Sequence, residues 1–499
     1  MNKNSILILL LFLLTSVIAV VWVEDGLGIG EDPFLILGAL MAGAIFLFVV
    51  MRHPAVVVAP MLFASPEKPF PILSRFHVAQ EFTLLEATMI VLIVAMLPRL
   101  WALSRRPGAL QNLFKGQGKA VGAWLAFMAI VAASYAYTAA PDWGSYKLAR
   151  FLVVGGLAFF APFLLFRDKD DIRDFVIGFL LFSFAVSFVM IRASHQGGRT
   201  AGINPVHIGI AQFLGWAIII ALYYRIPSNR RVRALVLFVV IPWLAFGLVS
   251  ALSRGPFLGL LAVLTLSLFV PQLRTALISR RQMALSLVMV VVAVSLLASG
   301  WFGGRVEARL HAKIAELQSL SARSGRAHGS ATQRLTLYKT ALQGIQERPL
   351  LGWGVGGFMR YNSYTDYPPI KTDIVRHFNT GHDPIERYPH NLFLEVGFEE
   401  GMLGLAALLI LLARIFGAMR KNLVRLAEHF PFLLPVMIYM LLITQVSGDI
   451  LDSRFLWFWC GVTLVGCQLA QSQSLENAVV PEAHWEESFG ESSPALEGL

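Results

Sequence analysis

Long apolar blocks, separated by short polar segments, are the feature that most constrains the fold of this chain. Of its 499 residues, 56% are hydrophobic and only 14% are charged, whereas a soluble domain carries about 25% charged residues. Most blocks are long enough to cross the ~30 Å hydrocarbon layer of a bilayer as a helix. The sequence therefore predicts an all-α polytopic integral membrane protein with about 12–14 transmembrane helices.

The apolar blocks define the candidate spans. They lie near residues 4–23, 33–51, 54–64, 82–98, 119–140, 148–166, 174–191, 204–224, 234–252, 255–270, 283–301, 389–413, 430–447 and 455–471. The block 54–64 is short for a full crossing. We nevertheless count it as a span, because omitting it would place the basic loops that follow on the wrong side of the membrane.

Charge alternates along the loops. Loop 24–32 holds only acidic charges, whereas loops 99–119, 225–233, 274–281 and 414–425 are rich in arginine and lysine. Short basic loops stay in the cytoplasm, so the pattern predicts that both termini are cytoplasmic. The net charge of +10 is then a topology signal, and we predict no nucleic-acid partner.

This topology divides the chain into five parts. They are N-terminal transmembrane helices (1–190), transmembrane helices with extracytoplasmic arginine loops (191–301), a large extracytoplasmic loop (302–388), C-terminal transmembrane helices with a His-Asn motif (389–471) and a disordered acidic cytoplasmic tail (472–499). Within the large loop, apolar periodicity predicts helices over 305–320 and 331–347, with Ser330 as the N-cap of the second.

Two arginines fall in short loops on the predicted outer side. Arg199 lies in GRTAGINP among glycines, and Arg254 lies in SRGPFLG, in a hairpin of almost no length. Arginine binds phosphate through two parallel hydrogen bonds, so both are candidates for phosphate binding. The alternative is that both are interfacial residues whose charged ends reach the headgroups.

A histidine and an asparagine stand where the large loop meets the span 389–413. Pro389 suits the first turn of a helix, which places His390 and Asn391 at a helix N-terminus. That position favours a neutral imidazole able to accept a proton. The alternative is a polar pair that only caps the helix. Glu395 follows one turn later, and an acidic residue inside a span is a functional candidate.

The remaining polar features predict no metal site and no nucleotide site. The loop histidines lack metal-ligand spacing. The GWGVGG stretch from 352 to 357 follows no strand, so it is predicted to be a turn. Asp449, Asp452 and Arg454 form a further polar set on the predicted outer side; they are either functional residues or a solvated turn between two spans, and we favour the turn.

The stretch PHNLFLEVGFEEGMLG from Pro389 resembles the O-antigen ligase and polymerase family. In that family a His-Asn pair opens a helix and a glutamate precedes Gly-x-x-Gly, here His390, Asn391, Glu399, Gly401 and Gly404. The stretches GRTAGINP, SRGPFLG and RLTLYKTALQGIQERPLLGWGVGGF resemble the same family. Together they cover roughly residues 190–460.

The resemblance implies a glycosyltransferase of the GT-C type in the bacterial inner membrane, with loop 302–388 and the active site on the periplasmic side. Such an enzyme moves a glycan from undecaprenyl pyrophosphate to a lipid or glycan acceptor, without a cofactor or a metal ion. It further implies that His390 is catalytic and that Arg199 and Arg254 bind the pyrophosphate, with Asn391, Glu395 and Glu399 in support.

The acceptor stays open at this point: lipid A-core, a growing surface polysaccharide or a protein side chain each fit. An inverting single displacement is the expected reaction course. A transporter or flippase of lipid-linked oligosaccharide is the alternative from another class, and it would place polar groups near the middle of the membrane.

Overall fold

The computed structural model describes nine stretches of the chain. They are residues 53–58, 84–195, 207–224, 234–251, 253–269, 330–366, 388–447, 449–450 and 453–479. All regular structure in these stretches is helical, without any strand. The predicted all-α class is therefore confirmed for the described residues, whereas the predicted spans 4–23, 33–51 and 283–301 lie outside them.

Sixteen α-helices occur in the described stretches, numbered here in chain order. They are α1 (Leu84–Ser104), α2 (Ala109–Leu113), α3 (Gly118–Ser134), α4 (Pro141–Arg150), α5 (Gly156–Leu165), α6 (Lys169–His195), α7 (His207–Tyr223), α8 (Ile241–Ser250), α9 (Arg254–Phe269), α10 (Ser330–Glu347), α11 (Gly357–Asp366), α12 (Leu392–Glu399), α13 (Gly401–Lys421), α14 (Leu423–His429), α15 (Leu433–Ser447) and α16 (Arg454–Val479). Tyr135–Tyr137 and Pro54–Val57 are 3₁₀ turns. Phe151–Gly155 and Val236–Val240 are π-helical turns.

Within the described residues, three continuous helices are long and apolar enough to cross a membrane. They are Gly118–Tyr137, Pro141–Leu165 and Gly401–Lys421. The pair Leu423–His429 and Leu433–Val446 would make a fourth, but its two halves are bent by 103°. Pro431 lies in that bend and has no N–H with which to continue the helix ladder.

The outer surface of the bundle supports its assignment to a membrane. Leu97, Leu258 and Ile410 point away from the core and are 51%, 59% and 54% exposed. Large apolar side chains in such numbers are costly on a surface that faces water, whereas hydrocarbon accommodates them. The molecule is therefore an all-α membrane protein.

Aromatic rings fill the core where α3, α5 and α16 meet. The indole of Trp124 stacks on Phe159 at 4.7 Å between centroids and lies 4.8 Å from the ring of Trp457. All three side chains are fully buried. Helix α16 packs along α5, and α13 packs along α3, so the C-terminal helices are inserted among the N-terminal ones.

The predicted single span 389–413 is wrong in one respect. The helix begins at Leu392 and is interrupted after Glu399, so that two helices, α12 and α13, replace one. Gly401 adopts a left-handed φ of 67° at the interruption, a conformation that glycine takes at no steric cost. Backbone groups of a loop that is distant in sequence form hydrogen bonds to both sides of this interruption.

Other predicted boundaries shift by less. Helix α10 begins at Ser330 rather than after it, and ends at Glu347, ahead of Pro349. Helix α16 continues to Val479, eight residues into the predicted tail. Continuing an existing helix adds a hydrogen bond per residue without a new nucleation cost, which explains the extension.

Candidate functional site

His390 has an unusual backbone conformation. Its φ is 56°, and no other non-glycine residue in the described stretches has a positive φ. Histidine is one of the residues enriched in this region, yet such a conformation costs on the order of 1–3 kcal/mol and clusters at functional sites. The half-buried imidazole meets the ring of Tyr388 edge to face at 4.5 Å. The backbone conformation of His390 and its contact with Tyr388 therefore orient the imidazole.

Asn391 is the N-cap of α12. Its Oδ1 accepts a hydrogen bond from the Leu394 amide at 3.0 Å, while its Nδ2 donates to the Gln445 carbonyl at 3.1 Å. The Tyr338 hydroxyl donates to the same carbonyl at 2.9 Å. The capping role that the sequence left open is thus observed, and Pro389 lies two residues before the cap rather than in the first turn.

A buried lysine connects α12 to α4. Lys147 is 1% exposed, and its Nζ donates to Glu395 and, at 2.6 Å, to Glu399. The two glutamates are one turn apart on α12 and face the same side. Glu395 Oε2 also accepts the amide of Ile450 at 3.0 Å. The helix that follows His390 is therefore held by ion pairs with Lys147 and by a hydrogen bond from the Ile450 amide.

Acidic groups outnumber basic ones around this lysine. Glu400 and Asp449 are 1% and 3% exposed, and both contribute to the electrostatic potential at the cluster. We call Lys147, Glu395, Glu399, Glu400 and Asp449 the Lys147 cluster. Neither carboxyl oxygen of Glu400 accepts a hydrogen bond from a described residue. Removing Lys147 would leave Glu395 and Glu399 buried without the counter-ion that they share.

The start of α16 is part of the same buried region. Arg454 is 4% exposed, and its guanidinium lies 4.6 Å from the centroid of Phe455. The predicted solvated turn at Asp449 and Arg454 is therefore wrong, because both side chains are buried. Asp452 lies outside the described residues.

A glycine-rich segment, residues 349–357, wraps the break between α12 and α13; we call it the glycine loop. The amides of Trp353 and Gly354 donate to the carbonyls of Phe398 and Glu399 at 3.0 and 2.8 Å. On the other side of the break, the Met402 amide donates to the Pro349 carbonyl at 2.8 Å. Helix ends leave such groups unpaired, so the glycine loop replaces the missing helical bonds. The predicted turn in GWGVGG is confirmed.

The glycine loop also contacts the end of α3. The Val355 amide donates to Ser134 Oγ at 3.0 Å, and Thr138 Oγ1 donates to the Val355 carbonyl at 2.7 Å. Gly354 has a φ of 80°, and a Cβ there would lie 2.7 Å from the Ser134 carbonyl oxygen. No side chain fits at this point.

Replacing Gly354 with alanine is expected to lower the free energy of unfolding by about 1–3 kcal/mol, because the backbone is left-handed and the space is filled. Gly122→Ala is the matched control, since a Cβ at that helical position meets nothing within 4 Å. The control should leave stability unchanged or raise it slightly. Thermal unfolding of both variants in detergent measures the difference; equal midpoints would contradict the role of the glycine loop.

Of the two arginines predicted to bind phosphate, the structure describes one. Arg199 lies outside the described residues, while Arg254 is the first residue of α9. The adjacent Gly255 lies against α15, where an added Cβ would be 3.0 Å from Val446 Cγ2. Val446 follows Gln445, whose carbonyl binds Asn391. The backbones at Arg254 and at His390 therefore converge on the same end of α15.

A known family model matches this region of the chain. Residues 237–409 match the family model described as O-antigen ligase. The predicted resemblance to the O-antigen ligase family is confirmed. No curated protein matches the chain. With its membrane helices, the match points to a bacterial membrane protein with a glycosyltransferase-like function.

The O-antigen ligase match covers less of the chain than the motifs suggested. It includes Arg254, His390, Asn391, Glu395 and Glu399, and it spans the glycine loop. Arg199 and its glycine-flanked segment precede the matched residues, as does Lys147. The part of the chain before residue 237 therefore contributes the lysine that binds the glutamates of the O-antigen ligase motif.

Lys147 was missed at the sequence level. The predicted span began at 148, so this lysine was treated as a loop residue. A signal existed, because the O-antigen ligase motif holds three glutamates and no basic residue other than His390 between Pro389 and Gly404. Acidic side chains in a span need a counter-ion.

The described residues include no group of three His, Cys, Asp or Glu side chains that could hold a metal ion.

Tyr361 of α11 packs against the glycine loop. Its ring packs 4.9 Å from Trp353, and its hydroxyl donates to Glu347 at 2.7 Å. Burial and, after it, the Glu347 carboxylate raise the pKa of Tyr361 to about 12. The hydroxyl is therefore a donor throughout the physiological range and keeps α10, α11 and the loop together.

Proposed function

We propose that this protein is a GT-C-like membrane glycosyltransferase that moves a glycan from undecaprenyl pyrophosphate to an acceptor on the periplasmic face. The acceptor is lipid A-core or a growing surface polysaccharide. The O-antigen ligase match supports the reaction class, and the convergence of the α9 and α12 starts supports the location of the site.

In this proposal His390 is the general base. The imidazole takes the proton of the acceptor hydroxyl as its oxygen attacks the anomeric carbon. The bond between that carbon and the pyrophosphate oxygen breaks, and its electron pair leaves with undecaprenyl pyrophosphate. One displacement inverts the anomeric centre. The donor is already activated, so the step needs no nucleotide, and we assign it no metal ion.

Arg254 and Arg199 are proposed to bind the pyrophosphate. Negative charge grows on the leaving group in the transition state, and fixed guanidinium groups stabilise such charge more than they stabilise the ground state. The start of α9 adds backbone N–H groups, which favour anions. Asn391, Glu395 and Glu399 act indirectly, because they position α12.

The observation that carries the proposal is the left-handed His390, next to a capped helix and at the same end of α15 as Arg254. A residue held in a costly conformation beside a helix start is poorly explained by packing alone. A base and the backbone of a candidate phosphate-binding residue at one end of α15 match the needs of transfer from a lipid pyrophosphate.

A transfer assay with purified protein and lipid-linked glycan tests this function. We expect a covalent glycan–acceptor product, and we expect Arg254→Ala to lower the transfer rate by about 10²-fold. Arg105→Ala is the matched control, since Arg105 lies at the far end of α1 against Trp101. Product formation at the wild-type rate by Arg254→Ala would contradict the assignment.

The identity of the acceptor is tested by mass spectrometry of the product. Lipid A-core, polysaccharide and protein acceptors give products of different mass in one incubation. A glycan attached to serine or threonine would instead indicate a protein O-oligosaccharyltransferase.

The Lys147 cluster is the one observation that favours a transporter of lipid-linked oligosaccharide, because buried charges within spans often mark transport pathways. In the structure Lys147 is paired directly with Glu395 and Glu399. Movement of a labelled lipid-linked glycan across vesicles, without any covalent product, would support the transporter and exclude the transferase.

A further inference from the structure

A cavity of about 420 Å³ lies where α1, α2, α5 and α16 meet. Three arginines line it: Arg99, Arg106 and Arg167. Most of the other lining residues are apolar, among them Phe163 and Leu469. We call this cavity the arginine pocket.

Two of the three guanidinium groups have no carboxylate partner among the residues that the structure describes. Arg167 is paired with Asp171, with contacts of 3.0 and 3.3 Å. Arg99 and Arg106 form no salt bridge with any described residue, and the buried Nε of Arg99 makes no hydrogen bond there. Buried donors normally have a partner. The pocket thus holds positive charge available to an anion.

The surroundings of the pocket are those of a membrane interface. Trp101 is 63% exposed and carries the Arg105 guanidinium 4.4 Å from its ring centroid. Tryptophan on an outward face is enriched at the level of lipid headgroups. The turn before it on α1 exposes Leu97. A molecule entering from this side would bring an apolar part along α1 and a polar part to the arginines.

The pocket lies far from the candidate transferase site. Lys147 is near the start of the continuous helix Pro141–Leu165, and Arg167 follows its end. Twenty residues of helix span about 30 Å, which is the thickness of the hydrocarbon layer. The arginine pocket and the His390 region therefore lie at opposite ends of the membrane layer.

We propose that the arginine pocket binds the phosphate headgroup of an anionic lipid on the membrane face opposite His390. The planar guanidiniums of Arg99 and Arg106 match a phosphate group bidentately. Phe163 and Leu469 supply apolar surface for the first methylenes of the lipid. A water-soluble anion would contact only the guanidinium groups, whereas an anionic lipid would contact both the guanidinium groups and the apolar surface.

Native mass spectrometry of the full-length protein in detergent tests the proposal, with phosphatidylglycerol and phosphatidylcholine of equal chain length as probes. We expect the wild type to retain phosphatidylglycerol preferentially. Each interfacial arginine contributes on the order of fivefold in affinity, so Arg99→Gln with Arg106→Gln should weaken phosphatidylglycerol binding about 30-fold. Binding of phosphatidylcholine should change little.

Arg105→Gln is the matched control, because Arg105 is a neighbour in sequence but does not line the pocket. It should retain the wild-type preference. If the double variant does not fold, as judged by thermal unfolding, the exposed Arg106→Gln alone should weaken binding about fivefold. Equal retention of the two lipids by the wild type, an equal loss in Arg105→Gln, or displacement of the lipid by inorganic phosphate at the same concentration would overturn the proposal.

Discussion

Replacing His390 with asparagine is expected to slow glycan transfer by about 10²–10⁴-fold, the usual contribution of a general base. Asparagine is the informative choice, because it tolerates the left-handed backbone conformation better than most residues other than glycine. The variant therefore removes the imidazole and preserves the direction of the chain into α12. Initial rates of transfer from lipid-linked glycan measure the effect.

Two further substitutions at this position separate chemistry from backbone conformation. His390→Gly also keeps the φ of 56° and leaves space in which added imidazole can act as the base. His390→Ala removes the ring and strains the backbone, so it should unfold at a lower temperature than the asparagine variant. We expect all three variants to lose transfer, and free imidazole to restore part of it only in the glycine variant.

A different pattern would contradict the role of His390. If asparagine retained the wild-type rate while alanine lost it, the residue would matter for its conformation and not for its proton affinity. Equal unfolding midpoints for the asparagine and alanine variants would show that the left-handed backbone conformation at position 390 costs little free energy.

The positions of most helices were predictable because apolar blocks end where polar residues begin. The predicted blocks 204–224 and 430–447 correspond to α7, His207–Tyr223, and α15, Leu433–Ser447. These boundaries follow from local composition and from the length that a bilayer imposes. Such information is present in any window of the sequence.

The interruption of the predicted span 389–413 was not predictable in this way. It depends on Pro349, Trp353 and Gly354, whose backbone groups bond to both sides of the break. Gly401 was a local hint, because glycine inside a helical pattern lowers helix stability. Gly404 has a related role, since a Cβ there would collide with Glu400. The glycines of the motif therefore shape the backbone.

The candidate site was predicted in part. His390 and Asn391 were found from a motif and a helix start, and the structure confirms Asn391 as the cap. The pairing of Lys147 with Glu395 joins residues 248 positions apart. Sequence patterns with a period of a few residues contain no information about such a contact. The role of each side chain in transfer stays a prediction.

Replacing Lys147 with methionine is expected to lower the free energy of unfolding by about 3–5 kcal/mol, the cost of breaking a buried ion pair on one side. Methionine keeps most of the length of the side chain and removes its charge. Glu395 and Glu399 would then be buried without a counter-ion. Thermal unfolding in detergent measures the loss, and Lys339→Met on the exposed face of α10 is the control, expected to change stability by less than about 0.5 kcal/mol.

A triple variant, Lys147→Met with Glu395→Gln and Glu399→Gln, tests whether charge is the cause. Neutral glutamines need no counter-ion, and the side-chain carbonyl of the glutamine introduced at position 395 could still accept the Ile450 amide that Glu395 binds at 3.0 Å. Replacing all members of a buried ionic group together is often nearly neutral for stability. We therefore expect the triple variant to regain most of the stability that the single variant loses.

The transfer rate of the triple variant then shows what the cluster does for the site. If Lys147 only stabilises the fold, transfer should recover together with stability. If it positions α12 and so His390, the triple variant should be folded and yet transfer slowly, with acceptor binding less affected than turnover, because only the transition state requires the aligned base. A stability of Lys147→Met equal to that of Lys339→Met would exclude both roles, since no buried charge would then depend on Lys147.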